Sequence, residues 1–188
     1  MKIGIYGGSF DPPHYGHRNI AEFIIKELNL DKLLIIPVGK GSYGKETATP
    51  AECRLEMSKL AFEKIDKVEV SPIEIDSKEL CYTIDTLNNI IKKYGKDNEY
   101  FEIIGEDSAN YFDKWKEYKK ILELSTVIVL KRKGYTNVVE SSKIKILDNP
   151  YFNISSTEIK NKIKNCEDIS EYVGKEIDEY IKNKKLYK

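Results

Sequence analysis

The chain has 188 residues, 31 of them Lys or Arg and 31 Asp or Glu, so its net charge is zero. That length suits one domain with a real core, and the balanced charge argues against a protein built to coat nucleic acid. The three cysteines are scattered with no CxxC, and no apolar run approaches the roughly 20 residues of a membrane span, so the expectation is a soluble, cytoplasmic protein without a disulfide framework.

Lys2 to Tyr6 is an apolar run stopped by Gly7 and Gly8, which predicts a buried strand. Beyond Gly16, the residues Ile20, Phe23, Ile24 and Leu28 recur at helical spacing. Strand, glycine turn and helix open a βαβ unit, and in such sheets ligands gather beyond the carboxyl ends of the strands. The glycines let backbone approach a ligand, and the following helix start offers free N–H groups to an anion. His14 and His17, the only two histidines, lie three residues apart in this turn. They suit either a shared chemical role or simple capping.

Lys32 to Pro37 predicts a second buried strand. Gly39 to Lys45 then has the GxxxxGK spacing of a P-loop, but Glu46 stands where a hydroxyl should bind Mg²⁺, and no helix opens there. A substrate loop bearing Lys45 is the better expectation. Thr49-Pro50-Ala51-Glu52 predicts a helix capped by Thr49, with Leu55, Leu60, Ala61 and Phe62 on its apolar side. Val68 to Val70 is a short strand, and Ser71 to Cys81 a connecting loop. Thr83 reads as the cap of a helix carrying Ile84, Leu87, Ile90 and Ile91.

Tyr100 to Ile104 predicts a fourth strand, followed by Gly105-Glu106-Asp107. A glycine and an acid at that position suit a ribose hydroxyl or a metal-bound phosphate, or Asp107 is a helix cap. Trp115, the only tryptophan, sits in a polar run and either offers its face to a ring or half-buries as a lid residue. Thr126 to Leu130 and Lys143 to Leu147 complete the strands. Ser155 and Glu158 form a capping box; the helix start with Lys160 suits a second anion site, but this stretch alone reads as an ordinary capped helix. Ile169 to Tyr187 predicts one or two helices.

Gly7-Gly8-Ser9-Phe10-Asp11-Pro12-Pro13-His14-Tyr15-Gly16-His17 resembles the signature of the HxGH nucleotidyltransferase superfamily, in the spelling of the bacterial nicotinate mononucleotide adenylyltransferases. Ile154-Ser155-Ser156-Thr157 is similar to the second superfamily signature. Tyr82-Thr83-Ile84-Asp85-Thr86-Leu87, Phe101 to Asp107, Trp115, and the closing Tyr180-Ile181 with Leu186-Tyr187 resemble further stretches of the same enzymes. Two features depart from the pattern. Lys160 replaces an arginine, keeping the charge without its fork, and Gly39 to Lys45 replaces a Pro-Pro-His-Lys-like loop.

The resemblance implies an α/β, Rossmann-like parallel sheet with helices on both faces in a single domain spanning residues 1–188. It also implies transfer of AMP from ATP to nicotinate mononucleotide in NAD biosynthesis. His14, His17 and Lys160 would be catalytic. Gly8, Ser9, Phe10, Gly105, Asp107, Ile154, Ser155, Ser156 and Thr157 would join the histidines in binding ATP. Thr83, Thr86, Trp115, Lys116 and Lys45 would bind the pyridine nucleotide. Mg²⁺ would arrive on the ATP phosphates without a protein metal site. No nucleic-acid or membrane partner is expected, and self-association is left open. Sister enzymes using nicotinamide mononucleotide, phosphopantetheine or cytidylyl transfer remain alternatives, as does a non-catalytic nucleotide-binding protein.

Overall fold

A computed structural model describes residues 1–39, 49–77, 79–131 and 140–188. The expected roles of Lys45 and the loop around it fall outside the described residues. Six strands form one parallel sheet in the order β3-β2-β1-β4-β5-β6. They are β1 (Lys2–Gly8), β2 (Lys32–Pro37), β3 (Val68–Val70), β4 (Glu99–Gly105), β5 (Thr126–Leu130) and β6 (Ile144–Leu147). The chain winds outward from β1 to β3, then returns to lay β4 on the other side of β1. That reversal leaves a crevice between the carboxyl ends of β1 and β4.

Helices cover both faces, which is why the strands read as unbroken apolar runs. Side chains alternate along each strand, so Leu33 and Ile35 of β2 enter one core while Leu34 and Ile36 enter the other. The first core is closed by α1 (Tyr15–Glu27), α2 (Ala51–Phe62), α6 (Ser156–Lys164), α7 (Ser170–Val173) and α8 (Lys175–Lys184). The second is closed by α3 (Thr83–Tyr94), α4 (Glu106–Ala109) and α5 (Tyr118–Leu124). No helix among the described residues is long and apolar enough to cross a membrane.

Three local expectations need correction. Pro50, not Thr49, is the N-cap of α2, and Thr49 is buried one residue earlier. The buried stripe of α2 is Arg54, Met57, Ser58, Ala61 and Phe62, with Leu55 and Leu60 only half-buried. Two polar residues hold core positions there, so apolar letters alone misplace the face. Tyr82 caps α3 in place of Thr83, because the Asp85 carboxylate accepts the Tyr82 backbone N–H at 3.3 Å. The unpredicted α5 has only seven residues.

On β3, Glu69 accepts hydrogen bonds from Lys32 at 2.6 Å, Tyr94 at 2.8 Å and Lys93 at 3.1 Å. Burial pushes its carboxyl up, but these donors win and hold it at about 2, against 4.5 ordinarily. A depressed pKa adds stability above the unfolded value, which is lost as pH falls toward the folded one. With 34% of the side chain exposed, screening cuts the gain to about 1 kcal/mol. Glu69→Gln should therefore cost about 1 kcal/mol in urea unfolding at neutral pH. The gap to wild type should close between pH 4.5 and about 2; an unchanged gap in acid would remove Glu69 as the source.

Candidate active site

The loop after β1 turns its polar edge outward and anchors its aromatic ring inward. Ser9 is exposed, as is Gly7 near the end of β1, whereas the Phe10 ring is buried against Tyr6, Phe62 and His17. Phe10 has φ +46°, a left-handed conformation costly for a bulky residue, and burial of its ring holds it there. The ring of this expected ATP-binding residue is thus turned into the core.

His14 is the N-cap of α1, and His17 occupies the third helical position. The His14 backbone N–H donates to His17 Nδ1 at 3.3 Å. With Nδ1 accepting, the neutral ring carries its proton on Nε2. The two rings stack with centroids 3.8 Å apart and planes 29° from parallel. Both imidazoles thus stand at the positive end of a 13-residue helix.

The start of α6 docks directly on this loop. Ser156 Oγ donates to the Pro12 carbonyl at 2.9 Å, and Lys160 Nζ lies 3.3 Å from Asp11 Oδ2. A Cβ on Gly16 would come 2.9 Å from Ile154 Cγ2, so this glycine allows the two segments to meet. Ser155 caps α6 as expected, accepting the Glu158 N–H at 3.2 Å and donating to its carboxylate at 2.7 Å. Thr157 is exposed on the first turn.

Beside β1, Tyr6 pairs with Ile103 of β4, and two residues farther on Gly8 and Gly105 end their strands at the same edge. Gly105 caps the short α4, so Asp107 lies in its first turn and is not the cap. Farther along, Trp115 is half-buried with its ring 5.3 Å from Phe112. Lys116 binds Asp85 at 3.0 Å and lies 4.7 Å over the Tyr82 ring. This bridge ties the Trp115 segment to the start of α3, where Thr83 is half-buried. Because α3 runs back from the carboxyl end of β3 toward β4, its N-terminus faces the crevice edge.

Thr86 is buried, and its hydroxyl donates to Glu74 Oε1 at 2.8 Å. Of the expected pyridine-site residues, it is turned away from solvent. Glu74 also accepts the Gly39 N–H at 3.4 Å. Burial raises its pKa, against the pull of those two bonds and the Arg54 charge. Below it, Glu102 of β4 is pushed well up by burial and by the neighbouring Glu74 charge.

Sequence reasoning missed Arg54, Glu74 and Tyr187. Arg54 is 1% exposed and braces two loops, donating from Nη1 to the Ser9 carbonyl at 3.0 Å and from Nε to the Thr49 carbonyl at 3.3 Å. Burial lowers its pKa, while Asp11, Tyr187, Glu52 and Glu74 favour the charge. Its signal lay in spacing: Arg54, Met57, Ser58 and Ala61 fall on one helical face. Among the described residues, no group of three or more His, Cys, Asp or Glu is placed to hold a metal ion.

The cytidylyltransferase-like family model matches residues 5–162. A probable nicotinate-nucleotide adenylyltransferase of Fusobacterium nucleatum is 48% identical over 96% of this chain and 97% of its own length. A protein of the same name from Clostridium novyi is 37% identical over all of this chain and 99% of its own. Among solved structures, the nicotinic acid mononucleotide adenylyltransferase of Plasmodium falciparum, complexed with NaAD, superposes with TM-score 0.79 at 20% identity. That superposition covers 99% of this chain and 97% of the other, and at such identity it speaks for the fold alone. Match and relatives show that the chain belongs to the cytidylyltransferase-like family of nucleotidyltransferases, beside relatives that carry the name nicotinate-nucleotide adenylyltransferase.

Proposed function

We propose that the protein transfers the adenylyl group of ATP to nicotinate mononucleotide, releasing pyrophosphate and forming the deamido form of NAD. The observation that carries this reading is the docking of α6 on the histidine loop, through Ser156 to Pro12 at 2.9 Å and Lys160 to Asp11 at 3.3 Å. That docking supports a site in which imidazole, hydroxyl, ammonium and helix-start N–H groups would meet a triphosphate. Relatives at 48% and 37% identity carry the same activity in their names.

The mononucleotide's phosphate oxygen attacks the α-phosphorus, and the bond from that phosphorus to the α,β-bridging oxygen breaks. The nucleophile is already anionic at neutral pH, so no base need activate it. The protein must instead align two anions and stabilise the charge that spreads over the transferring and leaving phosphates. His17 Nε2–H and His14 would donate to those oxygens. Ser155, Ser156, Thr157 and Lys160 would hold the outer phosphates, with Gly8 and Ser9 passing close beneath. Gly105 and Asp107 would face the adenosine ribose. Mg²⁺ would enter with the triphosphate, neutralising the leaving pyrophosphate.

The pyridine ring would stack on Trp115, with Thr83 and Lys116 beside it. Thr86 would act one layer deeper, through Glu74. Free cysteines at 53, 81 and 166 fit a reducing, cytoplasmic setting.

Purified protein with ATP, Mg²⁺ and each pyridine mononucleotide should release pyrophosphate with nicotinate mononucleotide. No release with either nucleotide would turn the assignment to a sister enzyme. Trp115→Ala should raise KM for the pyridine nucleotide by about tenfold and KM for ATP by less than about twofold. Equal shifts in the two constants would rule out stacking.

A further inference from the structure

Asp11 stands between two donors contributed by distant parts of the chain. Its carboxylate is buried, with 7% of the side chain exposed, and Lys160 approaches one oxygen at 3.3 Å. The Tyr187 hydroxyl, beyond the end of α8, donates to the other oxygen at 2.6 Å. The Tyr187 ring lies 6.0 Å beneath the Lys160 ammonium and packs against the first core with Leu186. Burial, the Asp11 bond and its charge push the tyrosine's pKa up against a bond with Thr49, so it remains a neutral donor.

The two lengths rank the contacts. At 2.6 Å the hydroxyl makes a short, charge-assisted bond, whereas the ammonium at 3.3 Å is held loosely. A buried carboxylate needs its donors, and each donor lost is made up by those remaining. With the hydroxyl in place, Asp11 draws less on Lys160.

We infer that Tyr187 is a positioning residue that satisfies Asp11 and thereby frees the Lys160 ammonium to move to the outer phosphates of ATP or to pyrophosphate. The device couples residues 176 apart in sequence to the phosphate site. It rests on the proposed contact between Lys160 and those phosphates. Removing the hydroxyl makes Asp11 a stronger competitor for the lysine, so affinity for phosphate falls while the pyridine site is untouched.

The test is calorimetric titration of the full chain with magnesium pyrophosphate, alongside steady-state kinetics. Tyr187→Phe should weaken pyrophosphate binding and lower kcat/KM for ATP by about tenfold, with KM for the pyridine nucleotide within about twofold. In a Lys160→Met background the same change should have no further effect beyond about twofold, because the ammonium it acts through is gone. Installing 3-fluorotyrosine at 187, a stronger donor of nearly the same shape, should move pyrophosphate affinity upward. Equal losses from Tyr187→Phe in both backgrounds, or a fluorotyrosine that weakens binding, would overturn the inference while leaving the role of Lys160 intact. Unchanged pyrophosphate affinity in Lys160→Met alone would overturn the lysine's proposed role and this inference with it.

Discussion

His17→Ala should lower kcat by a factor of about 100 or more while the protein stays folded. The side chain does two jobs through its two nitrogens. Nδ1 accepts the His14 N–H at 3.3 Å and so closes the first turn of α1. Nε2 carries the proton that would meet the phosphate oxygens as charge builds in the transition state. Loss of the first job costs about 1 kcal/mol of stability, the usual penalty for an N-terminal cap. Loss of the second removes a preorganised donor worth about 3 kcal/mol of barrier. His17→Asn separates the two: its amide oxygen is able to take the His14 N–H, restoring thermal stability without restoring turnover. The measurement is kcat beside a melting curve for each variant. Wild-type turnover in folded His17→Ala would take histidine out of the mechanism.

The parts of this site that local chemistry dictates were legible in sequence. Glycine stopping an apolar strand, two histidines one turn apart, and Ser155 with Glu158 three residues later each announce themselves within a few positions. The histidine pair and the capping box stand where expected, whereas β1 runs on through both glycines to Gly8. The register of α2 was hidden from a count of apolar residues, because Arg54 and Ser58 occupy buried positions that only the helical spacing marks. Nor could local pattern reveal that Lys160 and Tyr187 share Asp11, since those partners lie 149 and 176 residues away. Thr86 shows the same limit. A threonine in the first turn of a helix reads as a cap or a ligand contact, yet here it serves the half-buried Glu74 carboxylate 12 residues upstream. Polar residues that act through other polar residues leave little periodic trace, and they make up most of what the structure adds.

Gly16→Ala should uncouple stability from activity. A methyl at this position would stand 2.9 Å from Ile154 Cγ2 and 3.0 Å from two atoms of the His14 ring. Neither neighbour yields freely. The His14 ring is 6% exposed and stacked 3.8 Å from His17, and Ile154 immediately precedes the Ser155 cap of α6. Relief therefore comes by shifting the ring, or the start of α6, by several tenths of an ångström. Against that strain, alanine is favoured over glycine within a helix by about 1 kcal/mol, so net stability should change by no more than about 1 kcal/mol. Activity has no such offset. Displacing donors from an aligned site by as little as about 1 Å costs about 100-fold, so kcat/KM for ATP should drop by about 30- to 100-fold. Shortening the opposing side chain tests the cause: Gly16→Ala combined with Ile154→Ala should recover part of the lost rate, although Ile154→Ala alone removes packing and gains nothing. A folded Gly16→Ala protein with full activity would mean that the contact between the histidine loop and α6 does not set the geometry of catalysis.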